Sequence, residues 1–195
     1  MILTERVKNI ILQPAQEWRV IEKEATTVAE LYTSYIMILA AIGPVASIIG
    51  LSIFGVSAPF TGAYRLPLGS VIGHAVVSYV LALAGVYVFG LVINALAPTF
   101  LGTKDEIQAL KVAACSSTAA WLAGIFMLVP ALGFLQILAL YSLYLLYRGL
   151  PLLMKAPQEK ALVYTVVVIV VGVLIMGLMG AISGQLISYP GPALR

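Results

Sequence analysis

Charged side chains are scarce in this sequence, and their scarcity excludes a soluble protein. Asp, Glu, Lys and Arg make up 10% of the 195 residues and hydrophobic residues 62%, whereas soluble domains carry about 25% charged residues. With a mean hydropathy of +1.05, the chain is expected to fold in lipid, so membrane lipids are its first predicted partners. The net charge of +3 is small and the basic residues form no stripe, which argues against nucleic acid as a partner.

Residue types that carry chemistry are also rare. Cys115 is the single cysteine and His74 the single histidine, so no intrachain disulfide can form and a metal site would lack its usual set of ligands. No serine has a plausible base and acid for a triad, and the sequence has no glycine-rich phosphate loop. We therefore predict no catalytic residue, no metal site and no cofactor, and we expect that the protein is not an enzyme.

The sequence has instead long uncharged stretches, each able to cross a bilayer. A spanning helix needs about 20 apolar residues, and uncharged stretches cover residues 31–64, 66–103, 112–147 and 161–194. The third stretch is too long for one crossing at about 1.5 Å per residue, and Pro130 and Gly133 near its middle supply a helix stop and a turn. We therefore predict an all-α, polytopic membrane protein with a five-helix transmembrane bundle, its spans at about residues 31–55, 70–97, 104–129, 131–150 and 161–186.

The positions of Lys and Arg predict the orientation of this bundle. With five spans and a cytosolic N-terminus, Arg65 and Arg195 are the only basic residues on the outer side. A four-span chain would move the basic residues of the 148–160 loop outside, which the positive-inside rule disfavours. We therefore predict a transmembrane domain of residues 27–188 with a cytosolic N-terminus, and an outer tail of residues 189–195.

Capping boxes mark two predicted helix starts. In this motif a hydroxyl and a carboxylate three residues apart satisfy free backbone amides. Thr27 with Glu30 and Thr103 with Glu106 have this spacing. The pattern predicts that the first and third spans begin at these positions, on the inner side.

Residues 1–26 form a predicted interfacial segment ahead of the bundle. Leu3, Val7, Ile10 and Ile11 recur at helical spacing between polar residues, which is typical of an amphipathic helix, and a second helix is expected to begin at the following proline. One interpretation is a collar that anchors the protein to the membrane. The other is a docking surface for a cytosolic protein partner, formed by Pro14, Glu17, Trp18, Ile21 and Glu24.

Polar residues within the spans define a second candidate site. Lys111 lies about two turns into the third helix by its rise of about 1.5 Å per residue, and the antiparallel second span should bring Asn94 to a similar depth. We predict an inner polar pocket formed by Asn94, Lys111, Ser116, Ser117 and Thr118. The alternative is that the hydroxyls bond their own backbone and permit close helix packing. Small residues also recur in the fifth span, where Gly180 and Gly184 have the GxxxG spacing that lets helices approach, within one subunit or between two.

Two segments of the sequence resemble a known family. PAQEWRVIEKE, residues 14–24, and LYSLYLLYRGLP, residues 140–151, are similar to prokaryotic members of the Yip (Ypt-interacting protein) family, and the order of spans matches from Pro14 onward. The resemblance implies five spans, a cytosolic N-terminus and the plasma (inner) membrane of a prokaryote. Eukaryotic members bind Rab-type GTPases and carry an Asp-Leu-Tyr-Gly-Pro-like motif, which is missing here, so Rab binding is not expected.

Two functional hypotheses follow. The first is a non-enzymatic membrane protein that organises the membrane or recruits a cytosolic partner, and that forms a homo-oligomer through its small-residue faces. The alternative is a small-solute transporter or channel that uses the inner polar pocket as a vestibule.

Overall fold

The computed structural model describes residues 2–58, 62–64 and 67–186. In this part of the chain, five helices are long and apolar enough to cross a membrane: Val28–Phe54, Leu68–Phe100, Glu106–Leu128, Pro130–Leu153 and Gln158–Ile182. The predicted all-α, five-span membrane bundle is thereby confirmed. Arg65, Arg195 and the predicted tail of residues 189–195 lie outside the described residues.

Two short helices precede the first span. They are α1, Leu3–Leu12, and α2, Pro14–Lys23, and together they are called the N-terminal helix pair. Pro14 occupies the first helical position of α2, where its missing N–H costs no hydrogen bond. The apolar side of the pair packs against the spans, and Ile10 is completely buried there.

The first span is a series of four helical segments: α3, Val28–Leu31, a π-helical turn, Tyr32–Ile36, α4, Met37–Ala40, and α5, Ile42–Phe54. It begins with the predicted capping box, in which the Glu30 N–H donates to Thr27 Oγ1 at 3.2 Å and the Thr27 N–H donates to Glu30 Oε2 at 2.9 Å. The segment α4 ends at Ala40. The Ala40 carbonyl cannot receive the next helical hydrogen bond, because Pro44 has no N–H to donate.

A small β-hairpin occupies the loop between the first and second spans. Strand β1, Val56–Ala58, pairs antiparallel with β2, Gly62–Tyr64, and Val56 lies opposite Tyr64. The second span follows as α6, Leu68–Leu96, and ends in a 3-10 turn, Ala97–Phe100. The hairpin is an addition to the predicted loop and does not change the fold class.

The third and fourth spans form the helical hairpin predicted at Pro130. Their segments are α7, Glu106–Ser116, α8, Thr118–Ala123, a 3-10 helix, Gly124–Leu128, a second 3-10 helix, Pro130–Leu140, and α9, Tyr141–Leu153. Val129, between the two spans, is extended, with φ −125° and ψ 109°. Helix α7 begins the third span and α9 ends the fourth. Because these two helices pack against each other, the two spans are antiparallel.

The start of the third span differs from the prediction. Asp105 caps α7, because its Oδ1 accepts a hydrogen bond of 3.0 Å from the Gln108 N–H. The Thr103 N–H instead donates to the Met154 carbonyl at 2.7 Å, which ties Thr103 to the end of the fourth span. The predicted capping box of Thr103 and Glu106 is therefore wrong.

The fifth span is α10, Gln158–Leu186. The third span lies at the centre of the bundle. In the most apolar part of the third span 56% of the residues are buried, against 33% or less in the other four spans. Helix α7 packs against α6 and α9, and α10 packs against the same two helices from outside. Large apolar side chains cover the outward faces, as lipid-facing helices require.

Candidate functional site

Three charged side chains are buried where the N-terminal helix pair meets the spans. Arg6 of α1, Glu17 of α2 and Lys111 of α7 are 8%, 4% and 3% exposed. Arg6 Nη1 lies 3.1 Å from Glu17 Oε1, and Arg6 Nη2 donates to Glu24 Oε2. Two cations and two carboxylates therefore meet in one place with balanced charge, as burial of charge requires.

Lys111 fastens the C-terminal end of α2 to the third span. Its Nζ donates to the carbonyl oxygens of Ile21 at 2.9 Å and Glu24 at 2.6 Å, and Gln108 Nε2 donates to the Glu22 carbonyl at 2.9 Å. The last carbonyls of a helix have no partner within it, and the negative end of the helix dipole attracts a cation. The third span thus supplies the cap of α2.

The fourth span holds the other end of the helix pair. The Tyr141 hydroxyl donates to the Ile11 carbonyl at 2.9 Å, next to the C-terminus of α1. Trp18 is 1% exposed and lies so close to Gly149 that a Cβ there would be 2.5 Å from Trp18 Cε2. The helix pair is therefore packed into the bundle through both polar and apolar contacts.

A cavity of about 150 Å³ remains beside the buried charges, and its lining includes Arg6, Glu24, Tyr35, Lys111 and Cys115. Its cations already have carboxylate or carbonyl partners. The described residues contain no group of three His, Cys, Asp or Glu side chains that could hold a metal ion. The arrangement is suited to holding helices together.

The structure does not bring the five residues of the predicted polar pocket together. The hydroxyls of Ser116 and Ser117 donate to the Ala113 carbonyl at 3.3 and 2.7 Å. Thr118 Oγ1 donates to the Cys115 carbonyl at 2.8 Å and lies 2.6 Å from the Tyr35 hydroxyl. These three hydroxyls therefore bond backbone, as the alternative interpretation expected.

The remaining two members of that pocket form no hydrogen bond with these hydroxyls among the described residues. Asn94, on α6, has a buried Oδ1 that accepts no hydrogen bond from the described residues. Lys111 lines the cavity beside Arg6, whose lining includes none of Asn94, Ser116, Ser117 or Thr118. The correction is that Lys111 is directed to the N-terminal helix pair, because the free carbonyls of α2 attract it.

The predicted partner surface also requires a correction. Pro14, Glu17, Trp18 and Ile21 are buried against the protein's own spans, and Glu24 is exposed but bonded to Arg6. These residues form the inner side of α2, so they are not available to a partner in this structure. The outward side carries Glu5, Lys8, Gln16 and Lys23.

Comparison with known proteins identifies the family of this fold. A family profile described as Yip1 domain matches residues 8–179. The chain belongs to the Yip1 domain family. It is 26% identical over 187 residues to inner membrane protein YohC of Escherichia coli strain K12, a match that covers 94% of this chain and 96% of that protein. The protein of the same name in Escherichia coli O6:H1 matches to the same extent, and no solved structure matches the chain.

The two segments on which the resemblance to the Yip family rested contact each other in this Yip1 domain. Residues 14–24 form α2 with its C-cap, and residues 140–151 lead into and form most of α9. Trp18 from the first segment packs against Gly149 from the second. The resemblance is confirmed, and its two segments form one packing unit.

Among the described residues, Gly180 and Gly184 do not join the fifth span to another helix of the same subunit of this Yip1 domain. A Cβ added at Gly180 or Gly184 would meet nothing within 4 Å among the described residues, and both positions are exposed. Of the two interpretations of the GxxxG spacing, only contact with another subunit remains a prediction.

Sequence reasoning missed Arg6 as a member of the site, although a signal was present. Arg6 lies three residues after Leu3 and four before Ile10, so it shares the apolar face of α1. A charged residue on that face needs a buried partner. Glu17 lies on the apolar face of α2 in the same way, between Pro14 and Ile21.

Proposed function

We propose that this Yip1 domain protein is a non-enzymatic membrane protein that recruits a partner protein through the outward side of its N-terminal helix pair. The observation that carries the proposal is the attachment of that pair to the third and fourth spans by Lys111, Gln108 and Tyr141. A helix pair held in one orientation presents its exposed residues as a preorganised surface, which lowers the entropic cost of binding.

The composition of the outward surface supports this proposal. It places Leu12, 66% exposed, and Val20, 48% exposed, among the charged residues Lys8, Arg19 and Lys23. Apolar residues surrounded by polar ones are the usual arrangement of a protein–protein contact. We place this surface on the cytosolic side of an inner membrane, because the relative YohC is named an inner membrane protein and the basic residues favour a cytosolic N-terminus.

Site-specific photo-crosslinking in intact cells tests partner recruitment. A photoreactive residue at Lys8 or Gln16 of the full chain should form a discrete adduct with a protein, whereas one at Leu174, an exposed residue of α10, should not. The adduct should weaken when Gln108→Leu removes a contact that holds α2. Equal adducts at Leu174, or no protein adduct at Lys8 and Gln16, would contradict the proposal.

Cysteine labelling tests the proposed orientation. In a Cys115→Ala background, a membrane-impermeant maleimide should label Gly69→Cys in intact cells, because Gly69 begins the second span on the outer side of the proposed topology. Lys8→Cys and Lys155→Cys should be labelled only after the cells are opened. Labelling of Lys8→Cys in intact cells would contradict the proposed orientation and indicate that the N-terminus lies outside.

The transporter hypothesis has one observation in its favour, the cavity of about 150 Å³ lined by Arg6, Glu24 and Lys111. Proteoliposomes that contain the purified chain provide the test. Solute flux that is abolished by Ser34→Leu, a change in the lining of this cavity outside the buried ion pair, would favour transport through it. Flux no greater than that of empty liposomes would exclude the transporter hypothesis.

A further inference from the structure

A second cavity, of about 180 Å³, lies on the same side of the bundle but away from the buried charges. It opens between α2, the end of α9 and the start of α10, and its lining includes Trp18, Arg19, Tyr147, Arg148, Leu152 and Gln158. Of its lining, only Arg19 also belongs to the outward surface of the helix pair, and the functions proposed above do not use the cavity itself.

Two arginines that have no ion-pair partner in the part of the chain that the structure describes give this cavity its charge. Arg19 and Arg148 are both exposed, and the ion pairs found among the described residues all belong to Arg6. No carboxylate lines the cavity. Two guanidinium groups on one small cavity repel each other unless an anion lies between them, and the planar guanidinium fork matches a phosphate group with paired hydrogen bonds.

The cavity lies at the boundary between polar and apolar parts of the protein. Tyr147 and Arg148 are in the last turns of the fourth span, and Gln158 begins the fifth. In the first turn of α10 the Lys160 N–H donates to the Pro157 carbonyl at 2.9 Å, which leaves the N–H groups of Gln158 and Glu159 at the helix start to favour an anion. Trp18 and Leu152 make part of the wall apolar, and the buried Trp18 Nε1–H donates to no described acceptor.

The geometry points to a binding site for the phosphate of an anionic phospholipid headgroup, held by Arg19 and Arg148. A lipid fits better than a free phosphate ion, because the cavity is at the end of two membrane spans and has an apolar wall beside its arginines. The site does not depend on partner recruitment, since the residues tested by crosslinking are at other positions of the helix pair.

Native mass spectrometry of the full-length protein, stripped of lipid and then titrated, tests the site. The probes are phosphatidylglycerol, phosphatidylethanolamine and inorganic phosphate. We expect the protein to bind phosphatidylglycerol most tightly and to lose about tenfold in affinity with each of Arg19→Gln and Arg148→Gln, as charge-assisted hydrogen bonds to phosphate imply. The control is Lys104→Gln with Lys155→Gln, which removes two positive charges from exposed positions outside the cavity and should leave the affinity unchanged.

The other results would overturn the inference. If the arginine variants bind phosphatidylglycerol as tightly as the wild type, the cavity is not the lipid site. If the lysine control loses as much affinity as the arginine variants, the binding reflects general attraction between charges. Inorganic phosphate that competes with the lipid at equal concentration would assign the site to the free anion. If the glutamine variants do not fold, Arg19→Lys and Arg148→Lys keep the charge without the paired hydrogen bonds, and a loss of less than twofold in these variants would contradict the arginine clamp.

Discussion

Lys111 shows at the scale of one residue how a charge is accommodated in an apolar bundle. Its side chain is long enough to reach the polar surface, yet it is buried and spans the gap to the carbonyls of Ile21 and Glu24. Carbonyl oxygens at a helix end offer an ammonium group hydrogen-bond partners that the hydrocarbon part of the bilayer cannot. The residue is therefore a structural attachment point.

Replacement of Lys111 by methionine should loosen the N-terminal helix pair. The change leaves the buried Ile21 carbonyl and the partly buried Glu24 carbonyl without their donor, which costs about 1–3 kcal/mol. We expect a lower melting temperature and faster proteolysis within residues 1–26. Lys104→Met, at an exposed position, is the control, and proteolysis at the wild-type rate in Lys111→Met would contradict the role of this residue.

Gly149 is a second residue on which the attachment depends. A Cβ at this position would lie 2.5 Å from two atoms of Trp18, so Gly149→Ala must displace the indole. We expect a destabilisation of about 1–3 kcal/mol, the usual cost of overpacking. In a Trp121→Phe background, which leaves Trp18 as the single tryptophan, fluorescence should report the displacement.

The control for Gly149 is Gly85→Ala, also inside a helix. A Cβ at Gly85 meets nothing within 4 Å, so alanine there should be neutral or stabilising. If Gly149→Ala matches this control in both melting temperature and fluorescence, Trp18 does not pack against the glycine.

At the scale of elements, a buried ion pair holds α1 against α2. Arg6 and Glu17 belong to different helices and are both nearly inaccessible. Removal of one member of a buried pair leaves the other charge without compensation, and replacement of both by apolar residues avoids that penalty.

A double-mutant comparison tests this joint. Arg6→Met should destabilise the protein by about 3 kcal/mol, because Glu17 remains buried without a cation. Arg6→Met combined with Glu17→Leu should recover most of that loss, as measured by thermal unfolding in detergent. If the double variant is less stable than Arg6→Met alone by the full cost of Glu17→Leu, the two residues are not coupled.

At the scale of the whole molecule, the sides of the spans that do not pack against other spans carry mainly large apolar side chains, and small residues are the exception there. Gly177, Gly180 and Gly184 leave open space along the C-terminal half of α10, where the other exposed residues, apart from Ala181, are large and apolar. Such a face permits close contact with a second helix. It is the part of the molecule where we expect a homo-oligomer to form.

The substitution Gly180→Leu with Gly184→Leu tests self-association. Neither side chain should disturb the subunit, because a Cβ at each position meets open space, so the melting temperature should be unchanged. Energy transfer between two labelled copies in liposomes should fall. Unchanged energy transfer would mean that copies associate through another face or not at all.

The sequence by itself determined the number of spans, the reversal at Pro130 and the capping box at Thr27. These depend on local properties, since a bilayer accepts only helices of a certain length and a capping box needs a hydroxyl and a carboxylate three residues apart. The same spacing at Thr103 forms no capping box, because Thr103 bonds the end of the fourth span instead. Tertiary structure decided which side of the N-terminal helices is covered, and that Lys111 bonds a carbonyl 90 residues away in the chain. The physical reason is that an apolar helix face is equally satisfied by lipid or by another helix, so its pattern cannot tell which of the two will cover it.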